Sequence, residues 1–456
     1  MGEGATGGVS EARVARGSAA RSRDVQDAHG CASCGVSHNK EVTSVRATTL
    51  LSTILGMKHT RVEAVAFDEL GVIADVAPTT SIPRCSGCFC RVGEVYDGRL
   101  RCWRHLDLAG MRLVLRYRLR RVSCPRCGVR VELVPWAEPG SWFTRDFEEH
   151  TAYLAQTTDK TTVVNMMRVA WRTVGEIARR VVDRFRPGDA LDGLRLIGVD
   201  ELSYLRHHAY ITVVIDHVAQ RVVWARPGKD AATLGEFFKE LGPERCKQLE
   251  AVTIDMSGAY IKAVTEASPQ ATMIFDRFHV QRLAQKAVDE VRRAEVRDSR
   301  GMEEAKVLKR TRYILLKNPW NLTNLEGEKL AELQRTNKRI YRAYMMKEGL
   351  AGILDSLDID VARVKLREWI GWADRSRLEP FKKLARTVKD HFEGILAYIP
   401  LRLNNGRTEG MNGKIRTITR RSYGFHSASN LIALIFLCCS GISLLPVLKF
   451  VPTKRR

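Results

Sequence analysis

Apolar and polar positions change their period several times along this chain. The clearest pattern runs from Leu194 to His279. It opens with the apolar run Leu194-Arg195-Leu196-Ile197-Gly198-Val199, which ends on Asp200. Two more strand-like runs follow, Ala209 to Ile215 and Arg221 to Ala225, and then a helical stretch from Thr233 to Leu241. A short run from Ala251 to Ile254 ends on Asp255. A further run from Ala271 to Phe275 ends on Asp276, with His279 soon after. Short apolar runs of roughly 4–8 residues between polar punctuation read as buried strands.

Other stretches show other periods. Residues 1 to about 45 are rich in Gly, Ala, Ser, Arg and Asp and poor in large apolar residues, which predicts a disordered lead-in. Leu50, Leu51, Ile54 and Leu55 then form a short helical stripe. Val62 to Phe67 and Gly71 to Val76 alternate like a hairpin turning at Asp68-Glu69-Leu70, and Met111 to Val122 is strand-like and basic. Residues 146 to 186 read as three helices: Phe147 to Ala155, Thr162 to Val169 and Thr173 to Phe185. Arg186-Pro187-Gly188-Asp189 marks a boundary. From Gln281 to about Ile399 the chain is helical and charged, with Trp320, Trp369, Trp372 and Phe381 as expected core residues. A last helix is predicted to start at Thr408-Glu409. The apolar stretch Leu431 to Val447 is broken by serines and a glycine, short of the roughly 18–20 residues of a membrane span, and reads as a buried helix.

Composition adds a partner. The 456 residues carry 74 Lys and Arg against 52 Asp and Glu, a formal net charge of +22. That excess points to a polyanion, with nucleic acid as the default. An anionic membrane surface is the rival, but no basic amphipathic helix stands out. The polar, charged start does not read as a secretory signal. Several of the 11 cysteines fall in C-x-x-C pairs, which suggests metal in a reducing compartment rather than disulfides.

The candidate chemistry follows from these placements. Asp200 and Asp255 close buried strands, where carboxylates at a sheet edge can stay ionised and hold a hard cation such as Mg²⁺. Each could equally be a turn former or helix cap. Glu409 is predicted in the first turn of its helix, with Asn412 one turn later on the same face. A helix-capping carboxylate is the alternative there. Cys85-x-x-Cys88 and Cys124-x-x-Cys127 predict a four-thiolate structural Zn²⁺ site, with Cys90, Cys102 and His105 in the gap as possible substitutes. Cys31-x-x-Cys34 in the tail is a much weaker pair. Arg101, Arg104, Arg112, Arg116, Arg118, Arg120 and Arg121 offer a phosphate-binding surface. The three helices of residues 146 to 186 have the layout of a helix-turn-helix, whose last helix would bring Arg172, Arg179 and Arg180 to DNA. A plain helical linker with solvated arginines is the other reading. Lys414 and Arg416 make the last predicted helix basic.

Taken together, the two C-x-x-C knuckles, the helical segment, Gly198-Val199-Asp200-Glu201, Ile254-Asp255-Met256-Ser257, Phe275-Asp276-Arg277-Phe278-His279 and Thr408-Glu409-Gly410-x-Asn412 resemble the bacterial insertion-sequence transposases of the ISL-three family, of DDE type. The resemblance covers residues 48 to 445. It implies an α+β multidomain chain, with an RNase H-like α/β catalytic core interrupted by an all-helical insertion. The expected division is 1–46 tail, 47–135 zinc ribbon, 136–190 helix-turn-helix, 191–290 first part of the core, 291–400 insertion and 401–448 final helices. It also implies that Asp200, Asp255 and Glu409 are the catalytic carboxylates, holding two Mg²⁺ (or Mn²⁺) ions, with Asp276, His279 and Asn412 in support. Glu201 is expected to point to the opposite side of the strand. The implied partner is double-stranded DNA, as terminal inverted repeats and target, gripped by a homo-oligomer on paired ends. The implied location is cytoplasmic and nucleoid-associated, with no membrane. A non-catalytic zinc-ribbon and helix-turn-helix regulator, or an RNase H-like nuclease, are the rival functions.

Overall fold

A computed structural model describes residues 45–69, 71–186, 188, 190–205, 209–299, 308, 311–401, 405–422 and 427–445. Nearly all of the tail, with Cys31 and Cys34, and residues Leu70, Pro187 and Asp189 lie outside the described residues.

The chain opens with α1 (Ala47–Leu55), which buries Leu51 and Leu55 and leaves Leu50 and Ile54 in solvent. Five strands follow: β1 (Thr60–Asp68), β2 (Gly71–Pro78), β3 (Val95–Leu108), β4 (Met111–Cys124) and β5 (Gly128–Val131). They form one sheet in the order β1-β2-β4-β3, with β5 on β4. Its core is Trp103, Leu113, Leu115, Val134 and Trp136. The expected phosphate-facing arginines are largely consumed inside this sheet. Arg116 pairs with Asp75 at 2.6 Å, Arg120 with Glu132 at 2.7 Å, and Arg121 with Asp97. Arg101 donates to the Ser141 carbonyl at 2.9 Å and lies over Trp142, while Arg104 bonds Asp107 and the Arg168 carbonyl. Cross-strand neighbours decide this, and they are invisible in a local reading of the sequence.

Three helices come next: α2 (Arg145–Thr157), α3 (Lys160–Met167) and α4 (Trp171–Phe185). Thr144 caps α2 and Asp159 caps α3, each accepting backbone N–H bonds. The second sheet holds β6 (Leu196–Leu205), β7 (Ala209–Asp216), β8 (Arg221–Pro227), β9 (Ala251–Ile254) and β10 (Thr272–Phe275), in the order β10-β9-β6-β7-β8. Between its strands run α5 (Ala231–Leu241), α6 (Pro243–Cys246) and α7 (Gly258–Ala267). One face of this sheet packs on α5, α7 and α8 (Arg277–Asp298) through Ile197, Val199, Val214, Phe237, Tyr260 and Val280.

Helix α8 crosses the expected boundary at 290 without a break. Beyond it lie α9 (Arg312–Leu316), α10 (Asn324–Thr336), α11 (Lys338–Leu354), α12 (Ile359–Asp374), α13 (Glu379–Asp390), α14 (Phe392–Leu396) and α15 (Tyr398–Leu401). They share the core of that sheet face. Trp369 and Phe381 are buried as expected. Trp320 is 72% exposed on a single 3₁₀ turn and Trp372 is 38% exposed, so neither is a core residue.

The chain closes with α16 (Asn405–Arg421) and α17 (Ala428–Cys439). The opposite sheet face packs on α2, α4, α16 and α17 as one continuous core that includes Phe147, Ile177, Val181, Val213, Ile215, Ile418, Leu434 and Leu437. Helices α4 and α17 come so close that a Cβ added to Gly175 would lie 2.6 Å from Asn430 Cγ. The three-helix segment is therefore seated on the sheet rather than tethered to it. Among the described residues no helix is long and apolar enough to cross a membrane; α17 is a buried core helix.

Gly198 marks a second close approach. Its missing Cβ would sit 2.7 Å from His217 Nε2 and 3.0 Å from Thr253 Oγ1, two buried groups bonded to each other at 2.7 Å. Gly198→Ala is expected to destabilise the fold by about 1–3 kcal/mol through overpacking. Thermal melting would read this, and an unchanged melting temperature would contradict it.

Candidate active site and metal centre

Strand register brings the aspartates together. Strand β9 runs parallel to β6 with Thr253 opposite Gly198, and β10 runs parallel to β9 with Phe275 opposite Ile254. Counting on from those pairs, Asp200, Asp255 and Asp276 stand level on neighbouring strands, which are about 4.8 Å apart. Asp200 does not close its strand, as the sequence suggested. Strand β6 continues to Leu205 because it keeps pairing with β7 as far as Ala209. What stops beside Asp200 is the parallel neighbour, at Ile254, and the carboxyl ends of parallel strands are where such sheets leave a cleft.

Helix α16 closes the cleft. Buried Asn412 donates from Nδ2 to Asp200 Oδ2, across 212 residues of sequence. The Asp200 Oδ1 atom accepts the Glu201 N–H at 2.7 Å. Glu409 lies on α16 one turn before Asn412; its side chain is outside the described residues. The helix begins at Asn405, so Glu409 is past the first turn, and a helix-start capping role is corrected away.

Burial raises the Asp200 carboxyl above its ordinary value, opposed by the Glu201 N–H, by His279 and by Asn412, and reinforced by Asp276. Asp276 caps α8 through the Phe278 N–H at 2.8 Å, and its carboxylate stands 4.0 Å from His279 Nε2. Glu201 faces the other side of the sheet, as expected from strand alternation. It stands opposite Thr212, whose hydroxyl meets Tyr260 on α7 at 3.0 Å, whereas Asp200 stands opposite Val213 in the α4–α17 core. Burial and then the charge of Asp255 raise the Glu201 carboxyl, so it still feels the same cleft.

The four cysteines make a second centre. The ligand atoms of Cys85, Cys88, Cys124 and Cys127 all lie within 4.8 Å of one another, the only such group among the described residues. The aspartates do not draw together that tightly. Cys88 Sγ lies 3.4 Å from Cys124 Sγ, and the Gly87 N–H points at Cys85 Sγ at 3.4 Å. The Cys90 backbone N–H, then Cys124, hold the Cys88 thiol below its usual range. Of the possible substitutes, His105 is buried against Thr144 Oγ1 at 2.8 Å and Cys102 is exposed on β3. Cys90 bonds Cys88 from outside the group of four. A set of four soft sulfur donors fits zinc, closed to water.

On α4 the arginines part ways. Arg172 has 86% of its side chain exposed, and Arg179 is exposed too. Arg180 instead pairs with fully buried Glu148 at 2.6 Å, and Arg184 reaches Glu138, Glu148 and Glu149. Sequence reading missed Glu148 as an internal counter-ion, although its place beside Phe147 on the buried face of α2 was a usable signal. On α16, Lys414 bonds the Cys438 carbonyl at 2.5 Å and Arg416 is exposed.

Comparison with known proteins adds the following. Residues 197–435 match the ISL3-type DDE family described as "Transposase", and residues 132–182 match the family described as "Helix-turn-helix domain of transposase family ISL3". The transposase for insertion sequence element IS1557 of Mycobacterium tuberculosis is 39% identical over 429 residues, covering 87% of this chain and 96% of that protein. The transposase for insertion sequence element IS1001 of Bordetella parapertussis is 29% identical over 352 residues, covering 76% of this chain and 86% of that protein.

Proposed function

Because the chain belongs to the ISL3 family of insertion-sequence transposases, we propose that Asp200, Asp255 and Glu409 are the acid triad at which DNA is cut and joined. The chain is a transposase with a helix-turn-helix DNA-binding part and a DDE part. The observation that carries the triad is the register: Asp200 and Asp255 stand level, and α16, which bears Glu409, is bonded to Asp200. The order of the second sheet, three antiparallel strands followed by two parallel ones, supports an RNase H-like reading of this half. The four-sulfur group supports a zinc ribbon before it.

The residues present fit a hard divalent cation such as Mg²⁺ or Mn²⁺. The donors are carboxylate oxygens, the Asp200 carboxyl is raised by burial, and the buried Asn412 Oδ1 has no hydrogen-bond partner among the described residues. When bound, such ions lower the pKa of the attacking water and stabilise the leaving oxygen. Asp200, Asp255 and Glu409 would hold them. Arg416, exposed on α16, is placed to meet phosphate charge, with Lys414 beside it. Asp276 fixes the start of α8 and keeps His279 at the rim of the cleft. Two or more copies of the chain would hold the two ends of the element. A strand-transfer assay tests the proposal, using oligonucleotides that carry the element's terminal repeats. Metal-dependent nicking and joining is expected; joining in the presence of chelator would overturn it.

Helix α4 is proposed as the reading helix, with Arg172 and Arg179 on its open face. Arg179→Ala is expected to weaken terminal-repeat binding and flatten its salt dependence by about one counterion, at unchanged melting temperature. Arg180→Ala should do the reverse. It leaves Glu148 buried with only Ser141 and Arg184 as side-chain partners, at a cost of about 1–3 kcal/mol of stability. Binding isotherms beside melting curves separate the two effects, and equal behaviour of both variants would refute the assignment.

A further inference from the structure

Asn412 joins the last part of the site to the first, and its amide is only half used. Nδ2 donates to Asp200 Oδ2, and Oδ1 is buried without a partner among the described residues. With Asp200 ionised, as a metal ligand is, the opposite amide assignment would set Oδ1 against a carboxylate, and this fixes which atom is which. Burying an amide oxygen unsatisfied is costly, of order 1–3 kcal/mol, unless something in the working protein supplies a donor.

The Asp200 carboxylate is held at both ends. Oδ1 takes the Glu201 N–H and Oδ2 takes the Asn412 amide, which leaves each oxygen a further lone pair in a fixed direction. Asn412 also lies one helical turn after Glu409, so the same bond sets the register of α16 against β6. A slip of α16 by one residue would turn its side chains by about 100° and carry Glu409 off the cleft.

We propose that Asn412 is a two-sided positioning residue for the metal site. Its Nδ2 pins Asp200 and thereby the helix that carries Glu409, and its Oδ1 accepts a hydrogen bond from a water of the bound divalent cation. This rests on the triad reading given above and deepens it. Partners of this kind, one step behind the ligands, commonly change metal affinity 10–100-fold when removed.

The test uses the full chain and Mn²⁺ alone, without DNA. Free Mn²⁺ is counted by electron paramagnetic resonance, and melting temperature is measured with and without the ion. Asn412→Leu keeps the shape and removes both hydrogen bonds, and Asn412→Ala removes them with a smaller side chain. Both are expected to bind Mn²⁺ about 10–100-fold more weakly at a metal-free melting temperature close to that of the parent. The Mn²⁺ concentration for half-maximal nicking should rise by the same factor. Parent-like Mn²⁺ binding in either variant would overturn the proposal. So would failure of both to fold before metal is added, because Asn412 would then be a folding residue. Asp200→Asn is run alongside. If it abolishes Mn²⁺ binding while the Asn412 variants bind the ion like the parent, the positioning role fails alone. If it binds Mn²⁺ like the parent, the triad reading fails as well.

Discussion

Asp200→Asn is expected to leave binding of the terminal repeats intact and to lower both nicking and joining by roughly a thousandfold or more, about 4 kcal/mol of barrier. The substitution is nearly isosteric and keeps an oxygen for the Glu201 N–H. It removes the negative charge, and its new amide meets the Asn412 amide where a carboxylate had accepted. Asp255→Asn should behave alike, because Asp255 stands level with Asp200 one strand away. Glu201→Gln is the built-in control. It removes a carboxylate adjacent in sequence but on the other sheet face, and its effect should be far smaller. Nicking of a labelled repeat end, followed over time in Mg²⁺ and in Mn²⁺, gives the rates. Parent-like nicking by Asp200→Asn or Asp255→Asn would remove that residue from the triad.

Cys124→Ser should have the second largest effect, on folding rather than on chemistry. Around the four sulfurs the N-terminal sheet has only a small satellite core, Val92 and Val122 beside Cys85 and Cys124. Structural zinc in small domains supplies an apparent binding energy of about 10–16 kcal/mol, and in such modules that energy is folding energy. Loss of one thiolate should therefore melt this end of the sheet and lower the zinc content below one ion per chain. Terminal-repeat binding should weaken with it, because β3 leads through Arg104 into the start of α2. A chelator should reproduce the effect on the parent protein, and added zinc should reverse it. Full zinc content with an unchanged melting curve in Cys124→Ser would show that the sulfurs are not a joint site.

Much of this was legible in the chain. Buried strands announce themselves by apolar runs, so β7, β8, β9 and β10 fall close to where periodicity puts them, as do the three helices from α2 to α4. The two C-x-x-C pairs were legible because a tetrahedral four-thiolate site constrains local spacing, and the four sulfurs do gather. What escaped was whatever a distant segment decides. The run of β6 past Asp200 depends on β7 continuing to pair with it. Arg179 and Arg180 are locally equivalent, and only the packing of α2 on α4 gives one of them Glu148 as a partner. Trp320 looks like a core residue until the turn that carries it proves too short to bury it. Periodicity also cannot show that helices 145–185 and 405–439 share one core with the second sheet.

That shared core carries a consequence for the DNA itself. With Gly175 of α4 hard against Asn430 of α17, and Gln156 and Arg421 bonding carbonyls between the same helical layers, the proposed reading helix is packed on the helices that close the proposed site. On that proposal the offset from recognised bases to the severed bond would be a length cast in protein, like the gap between the jaws of a caliper. Each base pair added to that interval shifts the target by about 3.4 Å and turns it by about 35° around the duplex axis. If the proposed reading helix and triad are right, elements mobilised by this chain should tolerate changes of letter at their tips but not changes in the count of letters there.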